Sequence, residues 1–281
     1  VRSTDGLALS ALELGAAGAP TVVLIHGYPD TGAMWKPVAA RLARHLHVIA
    51  YDVRGAGESE APGALAGYDL AQLTDDFVAV IAALAPGEAV HVVGHDWGGI
   101  QGWELATRPE LAGRLRSFTA IAGPSLDQVA LLVRSRAGRR PWQAWRSFYI
   151  APLLVPGAPT LLWRALGRDR WRRLQRMEGV PPAGDYPART LVEDAIRGAG
   201  LYRRNIPRRL VRPRRDAFAH APVQLIVPTR DRYIPEYYYA LAERFAPGLR
   251  RTRMDGPHWL PRTHPEPVAE AILSFVREHE V

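Results

Sequence analysis

Cysteine is absent from all 281 residues. This removes disulfides, thiolate metal sites and a cysteine nucleophile together, and leaves redox compartment undecided. Lysine is nearly absent too: Lys36 is the only one, so the positive charge is carried by arginine. No run of about 18 apolar residues occurs, which excludes a transmembrane helix of ordinary length. The opening "VRSTDG" has no apolar segment of signal-peptide type, and a cytoplasmic location is the expectation. The first residue is Val and not Met, which fits a domain taken from a longer chain. Metal-binding spacings such as HExxH are missing, so no metal is expected; the expectation for cofactors, which rests on the reaction and not on this spacing, is also none.

The residues present are those of a folded enzyme-sized chain. Hydrophobic residues make up 47% and charged residues 23%, with eight Trp and ten Tyr, which is neither a disordered nor a low-complexity composition. The net charge of +8 is unevenly spread: between Ser125 and Arg215 stand twenty arginines and only six acidic residues. A basic stretch therefore sits on an acidic body. One reading is a solvated arginine-rich surface. The sharper one starts from Trp142, Trp145, Trp163 and Trp171, which interleave with those arginines, a mixture that suits peripheral contact with an anionic membrane better than nucleic acid.

Short Val- and Ile-rich runs alternate with helical patterns, the signature of a mainly parallel sheet with helical crossovers and so of the α/β class. Strands are predicted near Leu7–Leu14, Thr21–His26, His47–Tyr51, Ala89–Val93, Ser117–Ala122, Val223–Val227 and Leu249–Met254. Helices are predicted over Leu70–Leu84, Gly98–Thr107, Glu236–Phe245 and Pro267–His279. The alternation breaks after Gly123. Residues 124–221 read as a helical, basic, proline-punctuated insertion, a lid over a core formed by residues 1–123 and 222–281.

One stretch carries chemistry on its face. "AVHVVGHDWGG" runs from a strand into a tight turn and a helix, with Asp96 at the turn and glycines at 94, 98 and 99. This is G-x-D-x-G, a nucleophile elbow with aspartate where serine is usual. The following helix N-terminus favours the ionised carboxylate and offers backbone N–H groups to an oxyanion. The bland alternative is a helix-capping aspartate. An aspartate nucleophile also constrains the substrate. Attack on an ester or amide would give an anhydride, a poor route, whereas attack on a saturated carbon bearing a leaving group gives an alkyl ester that water can open.

Around this elbow stand "VVLIHGYPDTGAMW", "YDVRGAGESEAP", "PTRDRYIP" and "GPHWLPRTHPE". In this order and spacing the whole chain resembles the α/β-hydrolase family. The aspartate, the "HGYP" loop and the insertion are similar to its epoxide hydrolases. The resemblance implies Asp96 as nucleophile, His258 as base and Asp231 as the acid orienting it. It also implies an oxyanion hole from the backbone N–H groups of Tyr28 and Trp97. Asp255 is a rival acid, but only Asp231 fits the D-x-x-x-P pattern after a strand. His26 and His95 read as supports of the fold, Asp52 and Arg54 as loop organisers.

Ring opening of an epoxide needs acidic O–H donors, and the insertion supplies two candidates by resemblance. "SFYIAPLLVPGAP" places a tyrosine seven residues before Pro-Gly, at Tyr149. "GAGLYRRNIP" places the second at Tyr202, with one residue more between tyrosine and asparagine than is common in the family. The expected activity is conversion of an epoxide, of lipid or fatty-acid type, to a vicinal diol. Haloalkane dehalogenase is the rival enzyme, weakened by Tyr28, since related dehalogenases often carry a halide-binding Asn there. A non-catalytic binding module of the same fold is the rival of another class. Finally, "GPSLD" at residues 123–127 resembles actinobacterial epoxide-hydrolase-like domains fused to short-chain dehydrogenases, which accords with the expectation of a longer chain.

Overall fold

The computed structural model of the protein describes residues 1–135 and 149–280. Trp142 and Trp145 lie outside them. All seven strands foreseen from the sequence form, as one sheet of order β1-β3-β2-β4-β5-β6-β7. They are β1 (Ala11–Leu14), β2 (Thr21–Ile25), β3 (His47–Tyr51), β4 (Val90–His95), β5 (Leu115–Ile121), β6 (Val223–Pro228) and β7 (Arg250–Met254). Only β1 is antiparallel to its neighbour. It is also shorter than predicted, because residues 7–10 leave the ladder.

β2 and β4 are buried along their whole length because both faces of the sheet are covered, which makes β2 apolar after Thr21 and leaves only His91 and His95 as polar side chains in β4. Alternation sorts their side chains: Val23 and Ile25 join the cluster of Phe77, Trp103 and Phe118, while Val22 and Leu24 join that of Trp35, Val38 and Ile272. The first cluster is closed by α2 (Leu70–Leu84) and α3 (Trp97–Ala106), the second by α1 (Lys36–Leu42) and α10 (Pro265–Glu278). The helix predicted over Glu236–Phe245 is broken. A 3-10 turn at Glu236–Tyr239 is followed by the short α8 (Ala242–Phe245), and α9 (Leu260–Thr263) precedes α10.

Between β5 and β6 the described residues form α4 (Leu126–Arg134), α5 (Ala151–Leu154), α6 (Ala158–Met177) and α7 (Leu191–Val211). α6 is two helical limbs meeting at Gly167, whose φ of 66° and ψ of 166° break the helix. α7 is tied to the core at several points, among them Tyr28 Oη on the carbonyl of Ala195 and Arg204 on Asp69. Asn205 accepts from the backbone N–H of Leu70 at 3.1 Å and donates to the carbonyl of Tyr68 at 2.8 Å. Arg209 and, beyond the helix end, Arg214 converge on the buried carboxylates of Glu104 and Asp127.

Two glycines make the elbow possible. A Cβ on Gly98 would lie 2.0 Å from the backbone oxygen of Ile25, and one on Gly94 would lie 2.1 Å from that of Gly98. α3 therefore sits closer to β2 and β4 than any side chain permits. Gly98→Ala is expected to lower stability by about 3 kcal/mol, the upper range for overpacking, because the obstructing atom is backbone. Urea unfolding measures this, and a loss under about 0.5 kcal/mol would contradict the close packing.

Candidate active site

The candidate residues come from loops at the carboxyl ends of neighbouring parallel strands. Tyr28 follows β2, Asp96 follows β4, Asp231 follows β6 and His258 follows β7. The chain reverses its winding between β3 and β4, on either side of β2, and such a switch point opens a crevice at the strand ends. Asp96 itself has φ 52° and ψ −118°, a conformation that L-residues rarely adopt. Held this way, its carboxylate stands over the crevice. Oδ1 accepts the backbone N–H of Tyr28 at 2.8 Å, and the backbone N–H of Trp97 also donates to the carboxylate.

Behind Asp96 stands His258, its Nε2 at 3.8 Å from Asp96 Oδ2. Its Nδ1 meets Asp231 Oδ2 at 2.8 Å. Asp231 is in turn fixed by the backbone N–H groups of Tyr233 and Ile234, at 2.7 and 2.9 Å from Oδ1. Asp255, the rival, turns to the surface and pairs with Arg230 at 3.0 Å. His95 bonds the carbonyl of His258 at 2.9 Å, and His26 accepts the N–H of Val53 at 2.8 Å. Asp52 receives the N–H groups of Gly32 and Glu58, and Arg54 is buried between Asp76 and Asp5. These four residues therefore brace the loops around the crevice.

Burial pushes the pKa of Asp96 up to about 6, against the charge of His258 and the N–H groups of Tyr28 and Trp97. For His258 burial favours the neutral ring, but Asp231, through charge and hydrogen bond, and then Asp96 outweigh it and raise the pKa to about 9. At neutral pH the resting pair is carboxylate and imidazolium. A reaction that uses Asp96 as nucleophile needs its ionised form. Its single-turnover rate is therefore expected to fall tenfold per pH unit below about 6 and to level off above it. Rapid-quench measurement between pH 4.5 and 8 checks this, and a flat profile would refute the role of the carboxylate.

Tyr149, just before α5, and Tyr202, on α7, are brought to Asp96 from the other side. Both line the two apolar chambers that meet at the carboxylate, of about 450 and 160 Å³. The larger runs toward Ile100, Leu126 and Leu210, the smaller toward Trp163, Leu162 and His258. Burial raises both phenols well above their ordinary pKa, and the charge of Asp96 adds to it, so both keep their protons. The ring of Trp97 packs edge-on against that of Tyr202, with 4.9 Å between their centres.

Several residues at the site were not singled out in the sequence. The ring of Tyr233 lies 5.1 Å from that of His258 and 5.5 Å from that of Tyr149. Asp30, two residues beyond Tyr28, is buried and accepts from Tyr186 at 2.6 Å and from the Trp259 indole at 3.0 Å, joining the insertion to the residue after His258. Its place in "HGYPD" was the available signal. Trp163 donates to Tyr28 Oη at 2.6 Å and packs on Trp171 at 5.1 Å between ring centres. Both tryptophans are buried, at 3% and 9% exposure, which corrects the expectation that they face a membrane. Among the described residues no helix is long and apolar enough to cross a membrane.

Comparison with known proteins bears on this geometry. The chain is 37% identical over 289 residues to the "Probable oxidoreductase EphD" of Mycobacterium tuberculosis, covering 98% of this chain and 48% of that one. It is 36% identical over 194 residues to "Epoxide hydrolase A" of the same organism, covering 66% and 56% respectively. The chain thus spans about half the length of these curated relatives. Among solved structures, the crystal structure of Epoxide Hydrolase A from Mycobacterium thermoresistibile superposes with a TM-score of 0.77, at 26% identity over 100% of this chain and 98% of that one. Residues 20–265 match the family described as alpha/beta hydrolase fold, and together with the strand order and the elbow this places the chain in the α/β-hydrolase family.

Proposed function

We propose that this chain is an epoxide hydrolase that opens an apolar epoxide to a vicinal diol through an ester on Asp96. The observation that carries this reading is the placement of two protonated phenols, Tyr149 and Tyr202, around the same cavity as an elbow-mounted carboxylate. An epoxide is the electrophile that needs this combination, because its departing oxygen stays attached and must take a proton. The names of two relatives, both epoxide hydrolases, support it. Residues 124–221 act in this reading as a cap that brings the phenols to a core formed by residues 1–123 and 222–281.

The chemistry proceeds in two stages. One Asp96 oxygen attacks a ring carbon, the C–O bond breaks, and a tyrosine gives its proton to the released oxygen. Esterification removes the negative charge of Asp96, one of the influences holding the proton on His258. The ring then gives up that proton, which re-forms the phenol, and becomes a base. His258 next takes a proton from water, whose oxygen adds to the Asp96 carboxyl carbon. The N–H groups of Tyr28 and Trp97 hold the oxyanion. Collapse expels the diol, which takes its last proton from His258, and the acid left on Asp96 returns a proton to the ring. Asp231 keeps the imidazole oriented throughout and stabilises it each time it carries the extra proton.

Two unequal apolar chambers meeting at Asp96 fit an internal epoxide with hydrocarbon on both sides, as in an epoxidised lipid or fatty acid. Peripheral membrane contact and membership of a longer chain belong to the same reading. Incubation with terminal, internal and fatty-acid epoxides is expected to give diol, fastest for the internal ones, and haloalkanes to release no halide. Halide release without diol would favour a dehalogenase. Tight binding without turnover would favour a binding module.

A further inference from the structure

The outer side of α6 carries a surface that the site itself does not explain. Trp163, Trp171 and Gln175 face inward and are buried. A residue two positions away on a helix points to the opposite side, since two steps turn about 200°. Leu161, Arg173 and Met177 stand two positions from those three anchors, and both apolar residues are 75% exposed. Because Trp163 and Trp171 pack on each other, the inner sides of both limbs share one contact and their outer sides look away together. Leu162, Leu174 and, just before the helix, Val155 add further exposed apolar side chains.

Charge on α6 has one sign. It holds six arginines and a single acid, Asp169. Among the described residues none of these arginines is neutralised by an ion pair, and Arg168 and Arg170 bond only backbone carbonyls. Exposed leucines and methionine set among unpaired arginines match a bilayer with anionic headgroups, where apolar side chains enter the acyl boundary and guanidinium groups meet phosphate. A soluble protein partner would supply acids for the arginines but no reason for apolar residues to be distributed along both limbs.

This surface is continuous with the active site. Leu162 is 42% exposed and also lines the smaller chamber, which reaches Asp96 and His258. We propose that the outer face of α6 docks on anionic lipid bilayers and that Leu162 marks the mouth through which an apolar substrate passes from bilayer to cavity. The second half rests on the epoxide-hydrolase reading; the docking half does not.

Co-sedimentation with phosphatidylglycerol/phosphatidylcholine vesicles tests the docking. Wild type is expected to bind them at low salt, to lose binding by about tenfold or more at high salt, and to ignore pure phosphatidylcholine. Leu161→Asp with Met177→Asp, and separately Arg173→Glu, are expected to weaken vesicle binding at least tenfold. Hydrolysis of a water-dispersed small epoxide and the far-UV circular dichroism should stay unchanged. With epoxide embedded in the vesicles, the same variants should lose at least tenfold in rate. Absence of wild-type binding at low salt, or binding unaffected by the variants, overturns the proposal. So does light scattering that shows a dimer broken by Leu161→Asp/Met177→Asp, which would give the face to a second copy. Vesicle binding without diol from any epoxide would instead overturn the epoxide-hydrolase reading and leave the surface standing.

Discussion

His258→Gln is expected to stop turnover at its midpoint and leave the substrate attached to the protein. Asp96 keeps both backbone donors and remains free to attack, since neither Tyr28 nor Trp97 depends on the histidine. The ester then persists because no base activates water. Steady-state turnover should fall by about 10⁴-fold, the upper range for loss of a general base. Intact-protein mass spectrometry should show one substrate mass added, and peptide mapping should place it on Asp96. Asp96→Ala should neither turn over nor take up the mass. An unmodified His258→Gln protein after incubation with a reactive epoxide would overturn the covalent route, and an adduct on another residue would move the nucleophile.

The second large effect concerns the phenols. Phenylalanine at either position preserves the ring packing and removes only the donor. Tyr149→Phe is expected to slow adduct formation by about 10²-fold and the double variant Tyr149→Phe/Tyr202→Phe by about 10³- to 10⁴-fold. Stopped-flow measurement of the first turnover separates the steps: ester formation should slow while its hydrolysis does not. Equal slowing of both would mean that the phenols shape the cavity and do not protonate the departing oxygen.

What could be read from the sequence depended on how local the cause was. β2 and β4 announced themselves because strands covered on both faces are rich in Val, Ile and Leu, and the elbow because its glycines are dictated by backbone distances under 3 Å. The break within residues 236–245 was hidden, since "EYYYALAERF" has helical composition and its interruption after Tyr239 is a tertiary outcome. Asp30 was missed for another reason. Its partners Tyr186 and Trp259 lie 156 and 229 positions away, and no short-range pattern joins them. The tryptophans of α6 were misassigned to the surface because composition was read without phase: Trp163 and Trp171 occupy the inward side, and leucine and methionine take the outward one.

β5 and β6 are adjacent in the sheet, so residues 124–221 leave and rejoin the core at one doorstep. The residues proposed as nucleophile, base and orienting acid, Asp96, His258 and Asp231, lie outside that excursion, whereas Tyr149 and Tyr202 lie within it. On the proposed mechanism, the scaffold thus separates the machinery for making and breaking an ester from the groups that decide which departing atom is tolerated. If those roles hold, an exchanged insert lacking the two hydroxyls is expected to turn the fold toward other electrophiles while the strands of the sheet stay as they are.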